Sequence, residues 1–326
     1  MSGTMESLRR KIDGAGDLEG VVRSMKALAA SSIGQYEKAV QSLDDYYRTL
    51  ELALVACLHQ AESVPFAEAK RPPRLGPHEG IIGALVFGSD QGLVGRFNEV
   101  VVEFAVNKLR TLPGKTTKIW AVGDRAHALM VDTGMAPVKL LSVPTSVNAI
   151  TPLIGQILIE IEAALDQGNV VEVYVFHNHP KFGAVYEPVS KRLLPLDQAW
   201  QTKLAALPWP TKSLPEVIEG ASSALHAFVR GYVFVLLFQA CAESLASENA
   251  SRLAAMQRAE KNIEEILEDL NRTFRRVRQE SIDEELFDVI SLRGADGRWA
   301  PRLKDLMCNV SNNIQASYIS DRPGHS

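Results

Sequence analysis

SDQGLVGRFN, residues 89–98, is the segment where glycines and polar side chains cluster closely enough to suggest a phosphate cradle. A nucleotide loop needs a lysine followed by serine or threonine after its glycines, so that backbone N–H groups and the ammonium meet the phosphates. Here Gly95 is followed by Arg96 and Phe97, and the dinucleotide-binding glycine spacing is also missing. The segment reads as a turn between a strand and a helix, with Gly92 and Gly95 free to take tight or positive-φ geometry, and no cofactor is expected. His177 and His179 flank Asn178 at the end of a strand-like run and could point to one side. Two imidazoles without a third ligand are a weak zinc signal, so no metal is expected. Cys57, Cys241 and Cys308 lie far apart and fit no metal spacing; three scattered thiols suit a reducing compartment better than a disulfide framework. No Ser, His and Asp arrangement, helical His-Glu-x-x-His motif or pair of carboxylates stands at a recognisable spacing, so no catalytic residue is assigned. Arg272, Arg275, Arg276 and Arg278 fall within two helical turns, either as a solvated face or as a cationic collar for an acidic partner.

Composition bounds the possibilities. With 326 residues, 46% hydrophobic and 23% charged, most of the chain should fold, as one large domain or two ordinary ones. A formal charge of -4 gives no global pull toward nucleic acid or anionic lipid. The N-terminus lacks the apolar stretch of a secretory signal, and Met5 is an alternative start. The most apolar run, residues 231–242, is shorter than the roughly 20 residues a bilayer span requires and reads as a buried helix segment.

The elements follow from periodicity. Leu18, Val22, Met25, Ala29, Ile33, Tyr36, Val40, Leu43, Tyr47, Leu50 and Leu54 are spaced by three and four, which predicts one stripe on a long helix ending before Pro65. RPPRLGP, residues 71–77, reads as a linker. IIGALVF (81–87), TKIWAVG (117–123) and VVEVYVF (170–176) alternate with amphipathic segments near 97–110, 124–134 and 148–167. That order predicts a parallel sheet with crossover helices, and residues 184–196, with Pro188 and Pro195, an antiparallel edge. A helical pattern then fills roughly residues 217–290, about 110 Å at 1.5 Å per residue. Met256, Ile263, Leu270 and Val277 recur every seven residues, with Leu267 and Phe274 between them, so this half carries a coiled-coil seam. The fold expected is α/β with long helices: an antiparallel coiled coil of the N- and C-terminal helices carrying a central Rossmann-like parallel-sheet domain. The division is 1–64 as one shaft helix, 65–215 as the α/β domain, 216–291 as the second shaft helix, and 292–326 as a disordered tail.

Three separated segments resemble the F-type ATP synthase gamma family. SLRRKIDGAGDLEGVVRSMKALAAS (7–31) is similar to its opening helix, SDQGLVGRFN to the segment after its first strand, and residues 243–286 to its C-terminal helix. Ser31, Ser32 and Ile33 stand where the family carries basic residues, and Ile282-Asp283 and Leu292-Arg293 replace its Ile-Thr and Gly-Ala pairs. These departures resemble a divergent, alternative branch such as the sodium-translocating synthases. The resemblance implies a rotor stalk, non-catalytic itself, coupling ion flow through the membrane ring to ATP chemistry in an alpha-beta ring. It implies alpha, beta and epsilon subunits and the membrane ring of subunit c as partners, and a peripheral place on the cytoplasmic face of the bacterial inner membrane. By the same resemblance Met25, Lys26, Arg252 and Gln279 are partner-binding positions, with Arg272, Arg275, Arg276 and Arg278 as the collar. A coiled-coil adaptor unrelated to rotation would share the periodicity, and a nucleotide-dependent enzyme would use the α/β domain instead. Removal of residues from about 243 onward is expected to abolish coupling and leave the α/β body folded.

Overall fold

The computed structural model of the chain describes residues 2–60, 80–112, 116–167, 170–181, 184–196 and 221–294, together with residues 200, 202, 204, 206–209 and 211. The chain divides into two compact units, Val21–Lys261 and the pair of segments Met1–Gly20 and Asn262–Ser326. Two helices run through both units: α1 (Ser2–Gln41) at one end of the chain and a 74-residue helix, Ala221–Gly294, at the other. A second N-terminal helix, α2 (Asp44–Gln60), follows α1.

The larger unit is built on a five-stranded sheet. The three apolar runs form β1 (Ile81–Phe87), β2 (Thr117–Val122) and, after a short strand β3 (Lys139–Leu141), β4 (Val170–Lys181). β5 (Ala184–Leu194) completes the order β3-β2-β1-β4-β5, with β1 to β4 parallel and β5 antiparallel at the edge. The crossovers are α3 (Phe97–Thr111), α4 (Asp124–Asp132) and α5 (Ile150–Asp166). Connections this long are what parallel neighbours demand. The long C-terminal helix is therefore α6.

Both faces of β1 are buried, which is why it reads as an uninterrupted apolar run. Ile82, Ala84 and Val86 pack with Val101, Ala105 and Leu109 of α3 and Ala126 and Met130 of α4. Leu85 and Phe87 point to the other face, where α5 (Ile154, Ile157, Ile161) meets Tyr36 of α1 and Val233, Leu237 and Cys241 of α6. The apolar stretch 231–242 thus lies in the core of this unit. Gly83 shares that face because a Cβ there would stand 2.9 Å from Trp120 and 3.3 Å from Val173.

The terminal helices pair antiparallel within this unit. Lys26 forms an ion pair with Glu260 that Arg23 joins at 3.8 Å, the Tyr47 and Tyr232 hydroxyls are 3.1 Å apart, and Leu50 lies against Gly231. The single N-terminal helix expected from periodicity is in fact two. Ser42 closes α1 with its N–H on the Lys38 carbonyl and its hydroxyl on the Ala39 carbonyl, and Asp44 and Asp45 open α2, where acidic groups favour a helix N-terminus. The stripe itself persists across the break, except that Leu18 is 59% exposed.

In the smaller unit α1 continues the same spacing toward its start, with Met5, Leu8, Ile12 and Ala15 half-buried. On α6 the half-buried positions include Ile263, Leu267, Leu270, Phe274 and Val277 of the predicted seam, together with Thr273, Ser281 and Ile290. The region of Pro65, the 71–77 linker and residues 295–326 of the expected tail lie outside the described residues.

Gly83→Ala should destabilise the chain by about 1–3 kcal/mol through overpacking against Trp120, read as a lowered urea midpoint. Gly155→Ala, inside α5 with nothing within 4 Å of its Cβ, should be neutral or stabilising.

Candidate functional site: a polar seam on the terminal helix

In a sheet ordered 3-2-1-4, the chain reverses direction of growth between β1 and β4, and the crevice beyond the carboxyl ends of those strands is where α/β proteins take ligands. Here α6 lies against it. Ser247 Oγ donates to the Asn178 carbonyl at 3.0 Å, and Ser251 Oγ donates to the Val94 carbonyl. Asn178 Nδ2 in turn donates to the Phe97 carbonyl at 2.9 Å. All three side chains are buried, so each bond satisfies a group that water cannot reach.

The SDQGLVG turn spends its own polar groups in the same region. Asn98 accepts the Ser89 N–H through Oδ1 and donates from Nδ2 to Ser89 Oγ, both at 2.9 Å. Asp90 accepts the backbone N–H groups of Asp124 and Val143. Leu93 and Gly95 adopt positive φ (63° and 58°), and Gly123, at φ 102°, presses so close to Ser89 that a Cβ would meet its backbone at 2.8 Å. The turn reading of these glycines therefore has a concrete basis at Gly95, whereas Gly92 needs no positive φ.

One turn earlier on α6, Glu243 meets both histidines of β4. His177 Nε2 lies 2.8 Å and His179 Nδ1 3.0 Å from Glu243 Oε2, while Gln239 Nε2 donates to Oε1 at 2.7 Å. His177 is fully buried, so desolvation holds its pKa below the usual 6.5 and keeps the ring neutral. Burial alone would push Glu243 up, but the hydrogen bonds from His177 and His179 outweigh it and hold the carboxyl at about 2. Sequence reasoning placed the two histidines together and missed Glu243, which is 66 residues from His177. A lone acid following an apolar helical run, in the setting ACAES, was the available signal.

The expected partner positions divide by environment. Arg252 is not a free cation: its side chain is 13% exposed and donates to Glu248 at 2.6 Å. Burial pushes the Glu248 carboxyl up, and the Arg252 charge draws it partly back. Lys26 is bound to Glu260 and half-buried, as is Met25 beside it. In the smaller unit Arg272 pairs with Glu268 and Asp269 at 3.2 and 3.5 Å, and Arg276 approaches Glu280 at 3.9 Å. Arg275, Arg278 and Gln279 are exposed, and the two arginines meet no carboxylate among the described residues. The four-arginine collar thus holds two cations already matched within their own helix.

The crevice of this doubly wound sheet is filled by the protein's own C-terminal helix. Residues 4–295 match the profile of the family described as ATP synthase, and the chain belongs to that family, among its gamma chains. It is 27% identical over 301 residues to the ATP synthase gamma chain of Polynucleobacter asymbioticus, covering 89% of this chain and 98% of that one. The gamma chain of Dechloromonas aromatica is 24% identical over 290 residues, covering 88% and 97%. In fold, the chain is similar to the rotor of the Euglena gracilis mitochondrial ATP synthase in rotational state 1, with a TM-score of 0.56 at 16% identity, covering 86% of this chain and 100% of that one.

Burial and hydrogen bonding of these groups imply a pH dependence of stability. Because the folded chain holds the His177 pKa below 6.5, the unfolded chain takes that proton first; stability present above about pH 6.5 is lost as pH falls. Glu243 adds a loss of the same sign from 4.5 toward about 2. Glu248, raised by burial, contributes oppositely: its part is present below 4.5 and lost as pH rises through the folded value. In EDTA, urea midpoints should fall between about pH 7 and about pH 5, with a limiting slope near 1.4 kcal/mol per pH unit per proton. His177→Gln should flatten that slope, and an unchanged slope would assign it to other groups.

Proposed function

We propose that this chain is the central rotor stalk of an F-type ATP synthase, coupling ion flow through a membrane ring to ATP synthesis or hydrolysis in a surrounding alpha-beta ring. The family match over residues 4–295 carries this reading. Its partners on this reading are the alpha and beta subunits, the epsilon subunit and the ring of subunit c, and it sits with the F1 part on the cytoplasmic face of a bacterial inner membrane. Identities of 24 to 27% to gamma chains that it covers almost end to end support a divergent branch. The working principle is differential contact. A shaft shifts the equilibrium of each catalytic site only if it touches that site differently in different orientations, and two helices of unequal surface supply such differences.

The partner-facing residues follow from exposure. Arg275, Arg278 and Gln279 are exposed polar groups, and the two arginines meet no carboxylate among the described residues, with Arg272 and Arg276 contributing charge partly offset by their own helix. Met25, Lys26 and Arg252 act within the helix pair as well as at its surface, so their replacement disturbs the pair and the partner contact together.

Affinity purification of the native chain should bring down alpha and beta subunits in a three-fold ring with epsilon and subunit c. Recovery as a soluble homo-oligomer without them would favour the adaptor reading. Replacing both Arg275 and Arg278 by alanine should weaken attachment to the alpha-beta ring in a salt-dependent way, each exposed pair being worth roughly 0.2–1 kcal/mol.

A truncation tests the shaft. A cut at 243 would strip Glu243, Ser247 and Ser251 from the sheet crevice and unfold the body it was meant to spare. Ending the chain at Lys261, the limit of the larger unit, should keep the sheet folded and abolish coupled ATP synthesis. Normal coupling by that variant would overturn the rotor reading.

A further inference from the structure

We infer that His177, His179 and Glu243 form a binding site for one divalent transition-metal ion of the zinc class, which pins α6 to β4. The inference goes beyond the rotor reading and does not rest on it. Residues two apart on a strand share a face, so the His-Asn-His run presents both imidazoles to α6 by geometry alone. Nε2 of His177, Nδ1 of His179 and a Glu243 oxygen all lie within 4.8 Å of one another. A tetrahedral ion with bonds of about 2.0–2.1 Å requires its ligand atoms to stand roughly 3.3 Å apart. The two observed histidine-to-carboxylate separations, 2.8 and 3.0 Å, need to open by a few tenths of an ångström, and the two imidazole nitrogens, within 4.8 Å of each other, need to come to the same spacing, which the half-exposed His179 ring can do by turning.

The donor set and its surroundings suit such an ion. Two imidazoles and one carboxylate are borderline-hard ligands of the kind zinc takes, and three protein ligands leave a fourth position for water. That position has access to solvent, because the His179 side chain is 43% exposed while those of His177 and Glu243 are 0% and 6% exposed. Gln239, donating to the other oxygen of Glu243, orients the carboxylate from the next shell. Binding moves the His177 proton from Nε2 to Nδ1 and the His179 proton from Nδ1 to Nε2, so that each ring stays neutral and offers a lone pair to the ion. His177 Nδ1 has no hydrogen-bond partner among the described residues, so this tautomer costs affinity, on the order of ten- to a hundredfold. Zinc sites commonly bind tightly enough to absorb that loss.

The test uses the full chain, stripped with EDTA and titrated with Co2+ and Zn2+. One equivalent of Co2+ should bind with the visible absorption of a tetrahedral site, Zn2+ should displace it, and Tm should rise with free Zn2+ by mass action. His179→Gln, at a half-exposed position that leaves the core intact, should weaken binding at least tenfold and remove the absorption; Glu243→Gln should do the same. Absence of stoichiometric binding, or binding unaltered in the correctly folded His179→Gln chain, would overturn the site.

Discussion

The hydrogen-bonded contact between α6 and the carboxyl end of the sheet is the constraint on which the rest of this structure depends. Apolar packing alone is non-directional, and a helix of small and aliphatic residues can slide or rotate on a sheet at modest cost. Ser247, Ser251 and Glu243 remove that freedom, because a shift of α6 would leave the Asn178 and Val94 carbonyls and the buried His177 without partners where water does not reach. The serines also keep the surface of α6 small enough to approach the backbone of β4 and of the turn. The register of the C-terminal helix is therefore set by a few polar groups and stabilised by the apolar cluster of Val233, Leu237 and Cys241 beside them.

The same contact explains why the sheet has the order of a ligand-binding domain without presenting a cradle. The switch between β1 and β4 creates a crevice in any doubly wound sheet. In this chain the turn after β1 ties its side chains to Asn98, Asp124 and Val143, and α6 covers the carbonyl ends. The architecture is shared with nucleotide-binding proteins, and here the crevice holds the chain's own helix. Fold and function separate here for a reason that can be named residue by residue.

Much of this was legible in the sequence. β1, β2 and the core of β4 stood out as apolar runs because burial on both faces removes alternation, and the seam of α6 followed from its seven-residue period. The three-residue strand β3 was not visible, since it is too short to show a period. The break at Ser42 and Leu43 was hidden by a stripe that continues in phase across it, although Ser42 followed by Asp44 and Asp45 is a helix-start signature. Glu243 escaped because its partners lie on a distant strand, and the pairing of Arg252 with Glu248 one turn away could not be told from sequence, which shows charge and spacing but not burial. Pairing across the fold is a tertiary fact that no local pattern encodes.

A shaft must resist twisting, and its stiffness depends on how its helices are joined more than on how long they are. Surface ion pairs such as Arg272 with Glu268 add little, because water and salt screen them. The Lys26 and Glu260 pair, half-screened at the helix interface, does more to hold the two strands of the pair in phase. The buried bonds to Asn178, Val94 and His177 do most, since breaking any of them leaves a desolvated group unpaired. A twist of α6 is thus resisted at the sheet by directional contacts rather than by apolar packing alone.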